Sequence, residues 1–542
     1  MVCRPLAWYS RSRSVRVFNR NRGLRQLAVA ASISMVAGCG VFSSDSSNDG
    51  KPIVVGTTSE PSTLDPAASW DNSWELFRNV HQTLLNFDTG GSEPKPDAAK
   101  SCAFTDSSST VYSCELREGL KFSDGHVLDA KAVKYSIDRI RTINVNGGPA
   151  GLLTSLDRIE VKGDRGLVFH LNQADATFPF VLSTPAMSIV DPEEYPAKSL
   201  RQDGKVNGSG PYILESYKEG DRAVLVRNDR YKGIADLRND AVTIRYFKKS
   251  SEEADALRAK KIDIIYRGLS ADDIVDIEDN EKKEGLQLIE NATTEISYLV
   301  FNPKDPWSSK RSVRRAIAQI VDRPALAHNI YRDTVEPLYS MIPKGLVGHT
   351  TGFFDNFGNP STSKAKQILL EDGITQRVPL TLWYTSDRYG SQTKPAFEEL
   401  KRQLEDSGLF TVKLQSRPWK TYVDGYRKGE YPVFGRGWFP DFPDADNFIA
   451  PFVGEQNALG TPYTSPEITG QLLPESRRES DRGAVGEEFK EAQQILLDDA
   501  RLLPLWQGKQ HVAANQDIGG AEVSIDPATM MVMWELYWKT SW

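Results

Sequence analysis

The chain has 542 residues, room for roughly three to four domains at about 150 residues each. Hydrophobic residues make up 39% and charged residues 26%, the profile of a globular protein rather than a collagen-like or low-complexity one. Lys plus Arg number 66 against 73 Asp plus Glu, a net charge of -7, so no bulk basic charge exists to displace counterions from phosphates and nucleic acid is not an expected partner.

The charge is unevenly placed. Residues 1–38 hold seven arginines (Arg4, Arg11, Arg13, Arg16, Arg20, Arg22 and Arg25) and no acid, and without them 59 basic residues face 73 acidic ones, a net of -14. An apolar run of 12 residues, Leu27 to Gly38, follows. A membrane span needs about 20 residues, so a basic stretch before a short apolar run reads as a secretory signal peptide. Its end, Val36-Ala37-Gly38-Cys39, resembles the bacterial lipobox. That resemblance implies cleavage before Cys39, diacylglycerol on its thiol, further acylation (palmitate) at the new amino terminus, and stable anchoring by two or three chains. The following stretch to Gly50, rich in Ser, Asp and Gly, is expected to be a flexible tether over 39–50.

Of four cysteines, Cys3 leaves with the signal and Cys39 carries lipid, which leaves Cys102 and Cys114 around a short polar turn. Outside the cytoplasm such a pair is expected to oxidise, closing a loop worth roughly 3 kcal/mol on the chain-entropy account. Two cysteines with no nearby histidine are a poor metal-ligand set.

From residue 53 onward the pattern is α/β. Ile53–Thr58 reads as a strand, then a turn-rich loop over 59–66, and Trp74–Leu85 as an amphipathic helix. Tyr112–Leu116 alternates like a strand, Phe122–His126 is a turn, and Asp129 caps a helix over 130–141. Gly166–Leu171 is a strand, and Ile213–Tyr217 with Ala223–Arg227 forms a hairpin. Further on, 241–247 and 295–302 read as strands, and 251–260, 310–320 and 487–500 as helices. Residues 380–384, 397–404 and 412–415 form a strand–helix–strand unit.

Enzyme signatures are missing. There is no GxSxG elbow, no phosphate loop, no GxGxxG after a strand and no HExxH pair. With 73 acids, chance carboxylate pairs are too common to indicate a glycosidase. The chain is therefore expected not to be an enzyme and to need no cofactor or metal. What stands out is Gly435–Phe448, GRGWFPDFPDADNF, after a strand-like run over 431–434. Flat apolar rings with a few charges suit a ligand pocket, and equally suit a packed inter-domain loop with aspartates as caps.

Five stretches together carry a family resemblance: SEPSTLDP (59–66), KFSDGHVLDAKAVKYSIDRI (121–140), GSGPYILESY (208–217), FNPKDPWSSKRSVRRAIAQIVDR (301–323) and GWFPDFPDADNF (437–448). In this order and spacing the chain resembles family 5 extracellular solute-binding proteins, the peptide- and nickel-binding receptors of ABC importers. The resemblance implies a two-lobed periplasmic-binding-protein-like clamp with an extra domain, its mixed sheets flanked by helices. Domain I would be 51–82, 206–295 and 510–542, domain II 83–205, and domain III, the second lobe, 296–509. It further implies a monomer on the extracellular face of the bacterial cytoplasmic membrane, delivering di- or oligopeptides to permease subunits with cytoplasmic ATPases.

In peptide-binding relatives an aspartate three residues after a Gly-Trp pair grips the ligand's ammonium group. Gly437-Trp438 followed by Asp441 matches that spacing, with Trp438 implied as a pocket wall and Ser59 and Glu60 as cleft residues of the other lobe. Arg388 and Arg436 are candidates for the ligand carboxylate. Some oligopeptide binders carry an arginine three residues before the tryptophan, where this chain has Gly435, and a one-residue shift on a strand reverses the side chain's face. The same clamp for an oligosaccharide or a metal chelate, or a signalling lipoprotein that has lost transport, are the competing readings. A mixed peptide library and a neighbouring permease gene pair would separate them.

Overall fold

The computed structural model describes residues 50–68, 72–88, 90–454, 457–460 and 463–539. The expected signal peptide, the expected lipidation site Cys39 and the expected tether up to residue 49 lie outside the described residues. Among those described, no helix is long and apolar enough to cross a membrane.

The frame is an eleven-stranded mixed sheet. From edge to edge it runs Phe410–Arg417, Val378–Thr385, Val433–Trp438, Leu286–Phe301, Leu502–Asn515, Ile264–Arg267, Ile53–Thr57, Ala241–Tyr246, Arg222–Arg227 and Tyr212–Lys218, with Val335–Pro337 also paired to Leu502–Asn515. The two long central strands are antiparallel to each other and hold the halves of the sheet together. Their register breaks between Ala292 and Ile296. Before the break Leu286–Ala292 pairs only with Leu502–Asn515, and after it Ile296–Phe301 also pairs with Val433–Trp438.

Central placement explains the composition of this region. Ile296, Tyr298 and Val300 feed one apolar cluster and Leu299 and Phe301 another, because successive residues of a strand face opposite sides. The strand begins at Leu286, nine residues before the expected start at 295. Its front half is too polar to signal a strand and is held by pairing with a distant segment. That partner, Leu502–Asn515, contains Pro504, which cannot donate to a ladder. A register shift opposite Ser297 and Tyr298 accommodates the proline.

A second, four-stranded antiparallel sheet runs Ala99–Phe104, Val111–Leu116, Gly166–Leu171, Leu156–Lys162. The helix Ala130–Ile143 starts at Asp129, whose side chain accepts from the Ala132 amide. Cys102 and Cys114 sit directly opposite each other in this sheet and are joined in a disulfide, as the cysteine count implies.

The helix expected to reach Leu85 stops at Val80. The Val80 carbonyl accepts from the Gly210 amide at 3.1 Å instead of continuing the helix. A Cβ at Gly208 would lie 2.0 Å from that same oxygen. Gly208 thus permits backbone to pack on backbone, the physical content of the Gly-Ser-Gly-Pro run. Nearby, the Arg139 guanidinium clasps the Asp65 carboxylate by two hydrogen bonds of 2.7 and 2.6 Å, both side chains fully buried. Asp65 also accepts from the amides of Ala67 and Arg201, so the 59–66 segment is fixed to the helix that carries Arg139.

Candidate functional site

The strand Val433–Trp438 is buried along its whole length and delivers the Gly-Trp pair to the edge of the Gly435–Phe448 segment. A Cβ at Gly437 would meet the Tyr389 ring at 2.8 Å, so glycine lets that ring lie flat on the strand. Trp438 packs edge-on to Phe452, with ring centroids 4.9 Å apart. Its indole Nε1 donates to Asn447 Oδ1 at 3.1 Å. The backbone amide of Asp441 donates to the same oxygen at 2.9 Å, and Asn447 Nδ2 donates to Asp441 Oδ2 at 3.0 Å. One amide side chain therefore holds both the tryptophan and the aspartate of the Gly-Trp-x-x-Asp spacing. Asp441 is buried, at 6% exposure.

The other acids of the segment brace it. Asp444 accepts from the Asp446 amide and pairs with Arg482 at 2.8 Å, and Asp446 pairs with Arg477 at 2.7 Å. The Arg477 carbonyl accepts from the Ala176 amide, and Phe442 packs in the apolar cluster of the four-stranded sheet, 5.9 Å from Phe180. The same short segment thus carries a ligand-type constellation and touches a different part of the molecule.

Phe439 is the meeting point of charges. The guanidinium of Arg267 lies 5.7 Å from its ring centroid and that of Arg388 5.8 Å, and Tyr389 stacks on it at 6.5 Å. Arg267 pairs with Glu75 at 3.1 Å. Half-buried Glu295 has its carboxyl pushed up to about 7 by burial, against the pull of Arg267 and Arg388.

Arg436 pairs in register with Tyr298 and lies on the Trp438 face of its strand, two residues away. Its guanidinium sits 4.7 Å from the Tyr426 ring and 5.4 Å from Trp419. Arg388 touches the same indole at 5.4 Å. The structure thus gathers Arg388 and Arg436 around Trp419, with Phe439 also against Arg388, while Trp438 packs on Phe452 and bonds Asn447. Ser59 is buried, its amide donating to Thr57 Oγ1, and it shares a small recess with Glu75 and Tyr266. It connects to Phe439 through Glu75 and Arg267. Glu60 is taken up elsewhere: Tyr217 Oη and the Gly220 amide both donate to its Oε1, tying it to the hairpin turn. Asn447, Trp419, Tyr389 and Phe439 were not singled out from sequence. Only Phe439 and Asn447 fall within the aromatic-acidic run that would have flagged them.

One group with metal-ligating side chains exists among the described residues, Asp124, His126 and Asp191. Its members pair with one another, His126 Nδ1 lying 2.7 Å from Asp191 and 3.1 Å from Asp124, and Asn207 bonds both carboxylates.

The chain is similar to the probable D,D-dipeptide-binding periplasmic protein DdpA of Escherichia coli, 26% identical over 483 residues, 86% of this chain and 90% of the relative. It is also 26% identical to the periplasmic oligopeptide-binding protein OppA of Salmonella typhimurium, over 84% of this chain and 87% of the relative. Among solved structures, the periplasmic binding protein DppA of Helicobacter pylori, in complex with the peptide STSA, superposes with a TM-score of 0.77 at 23% identity. That match covers 91% of this chain and 99% of the other. The substrate-binding protein CtaP of Listeria monocytogenes gives 0.78 at 21% identity, over 91% and 100%. These likenesses establish the fold, the two-lobed α/β clamp. The profile of the bacterial extracellular solute-binding proteins, family 5, matches residues 93–460, more than half of the chain, and the chain belongs to that family.

Proposed function

We propose that this protein is the substrate-binding receptor of an ABC importer. It captures di- or oligopeptides between its lobes, delivers them to membrane permease subunits with cytoplasmic ATPases, and carries out no chemistry on them. Domain I is assigned to 51–82, 206–295 and 510–542, domain II to 83–205 and domain III to 296–509. Cys39 anchors the monomer by lipid to the outer face of the cytoplasmic membrane. Family membership and the relatives named for dipeptides and oligopeptides support this reading.

The observation that carries the reading is the Trp438–Asn447–Asp441 network. A peptide's ammonium group leaving water needs a charged partner, and a carboxylate fixed beforehand supplies one without reorganising. Asp441 takes the ammonium, Trp438 walls the adjoining space, and Arg388, at the rim by Phe439, takes the terminal carboxylate. Ser59 contributes from the opposite lobe. Glu60, committed to the hairpin turn, acts through that turn rather than by touching the peptide.

The test is calorimetry with a free-amine peptide and its N-acetylated form, on wild type and Asp441→Asn. Wild type should bind the free amine far more tightly. The variant should lose about 3–5 kcal/mol, as when a buried ion pair loses one partner, roughly a hundredfold to several-thousandfold in affinity. Equal binding of both forms by the wild type would remove Asp441 from the role. Native mass spectrometry of the purified protein should show co-purified peptides.

A further inference from the structure

Among the described residues Arg436 is a buried cation without a counter-ion. It is 8% exposed, and its Nε and Nη1 have no hydrogen-bond acceptor. Burial acts on it most, and its electrostatic neighbours include four tyrosines, Tyr426, Tyr389, Tyr298 and Tyr422. Ring faces at 4.7 and 5.4 Å offset part of the cost of burying a guanidinium. They supply no negative charge, and an uncompensated buried ion is among the costliest features a fold can carry. By contrast the buried Arg78, Arg139 and Arg314 each reach a carboxylate, and the buried Arg323 donates to the Pro504 carbonyl.

The cage has an open side. Tyr298, Tyr422 and Tyr426 are buried, whereas Trp419 and Tyr389 are only half-buried. Those two rings touch Arg388 and Phe439, next to the segment that carries Asp441. In register Arg436 lies one same-face step beyond Trp438 along the strand, since Ile296 opposes Trp438 and Tyr298 opposes Arg436. With Arg388 at the rim taking a terminal carboxylate, Arg436 still calls for a second anion.

We infer that Arg436 is a specificity residue that receives a side-chain carboxylate of the bound peptide through the Trp419–Tyr389 side of its aromatic cage, so that the receptor selects acidic peptides. This rests on the peptide-receptor reading and narrows it. Two N–H donors that meet no carboxylate among the described residues, on a delocalised cation, suit a carboxylate, and aromatic walls that exclude water strengthen the interaction.

The test compares matched tripeptides by calorimetry: Glu-Ala-Ala with Gln-Ala-Ala, and Ala-Glu-Ala with Ala-Gln-Ala, each also as the C-terminal amide. Wild type should prefer the acid by about tenfold or more in at least one pair, as expected when a hydrogen bond becomes charge-assisted in a dry site. The preference should persist in the amides. Arg436→Gln should abolish it while still binding the Gln peptides, and Arg436→Lys should retain part of it. Equal binding of Glu and Gln peptides by the wild type, which needs no variant, overturns the inference alone. So does a preference that survives Arg436→Gln or disappears on amidation. A panel in which no peptide binds overturns the receptor reading itself and this inference with it.

Discussion

Asn447→Ala should damage stability and binding together. The substitution deletes three hydrogen bonds, those from Trp438 Nε1, from the Asp441 amide and to Asp441 Oδ2. The first two leave buried donors without their acceptor, each costing about 1–3 kcal/mol. Water entering the vacated volume recovers part of this, so the expected loss is about 2–4 kcal/mol. It should appear as a lower urea midpoint at unchanged slope. Affinity for a free-amine peptide should fall as well, because the aspartate is no longer fixed in place. Asn447→Asp separates the two halves of the effect. It keeps an acceptor for both donors but sets a second carboxylate against Asp441, so one of the pair must titrate high. A carboxyl whose folded pKa is raised binds more protons in the folded state. Stability of this variant should therefore fall as pH rises from the ordinary carboxylate range through the raised value, and recover in acid. A cycle with Trp438→Phe, which lacks the indole donor, should be non-additive by about 0.5 kcal/mol or more. An Asn447→Ala protein with the wild-type midpoint and wild-type affinity would refute the reasoning.

Arg139→Met strands the buried Asp65 carboxylate and should cost about 3–5 kcal/mol, read as a urea midpoint. A loss under about 1 kcal/mol would show that the two amide donors to Asp65 suffice without the guanidinium. Replacing Cys102 and Cys114 together by serine opens a loop of sequence separation 12 and should lower stability by about 3 kcal/mol. Peptide affinity should stay unchanged, since the disulfide takes no part in the Trp438–Asn447–Asp441 network, and a large affinity loss would contradict this. Glu295, with its carboxyl pushed up to about 7 by burial, binds its proton more tightly folded than unfolded. Stability should decline as pH rises from about 4.5 to about 7, and Glu295→Gln should flatten that slope. A slope identical to wild type in the variant would assign the pH dependence to another group.

Local signals were the legible part of the sequence. Asp129 announces its helix through a cap, the strands at Ile53–Thr57 and Gly166–Leu171 through apolar runs, and the hairpin Tyr212–Lys218 with Arg222–Arg227 through alternation around a turn. The strand Leu502–Asn515, with Pro504 and a polar run from Gln507 to Gln510, carries no such signal. It is a strand because Leu286–Phe301 pairs along nearly its whole length, an instance of tertiary pairing overriding propensity. The end of the first helix at Val80 is likewise set by Gly210, 130 residues away in sequence. In the site, the motif spacing marks Trp438 and Asp441. It is silent on Asn447, because a side chain that bonds positions six and nine residues earlier follows from how the segment folds back on itself, not from any periodicity. The tyrosine cage of Arg436 is drawn from three separate stretches of chain, Tyr298, Tyr389 and the helix that carries Tyr422 and Tyr426, so no short window of sequence contains it.

The Asp441 segment divides its residues between two tasks, and on the proposed function that division would link binding to lobe closure. Trp438, Asp441 and Asn447 form the hydrogen-bonded hub. Phe439 and Phe442, interleaved with them, reach outward: one to Arg267 and Arg388, the other into the apolar cluster of the four-stranded sheet. Asp444 and Asp446 hold the segment's far end to Arg482 and Arg477, and the Arg477 backbone bonds Ala176. Asp441 and Phe442 are consecutive, so a force that repositions one backbone repositions the other. A ligand shifts a conformational equilibrium only by binding one state better than the other. On the proposed function, an ammonium group held at Asp441 should favour the arrangement in which Phe442 is buried against Phe180, because the same short backbone must satisfy both. The aspartate's burial, its amide anchor and its phenylalanine neighbour form one mechanical unit. Beside this unit lie three arginines, Arg267, Arg388 and Arg436, together with the carboxyl groups of Glu75, paired with Arg267, and Glu295. Cations and carboxylates thus lie side by side here, the arrangement that the proposed function requires of a site receiving both an ammonium group and a carboxylate.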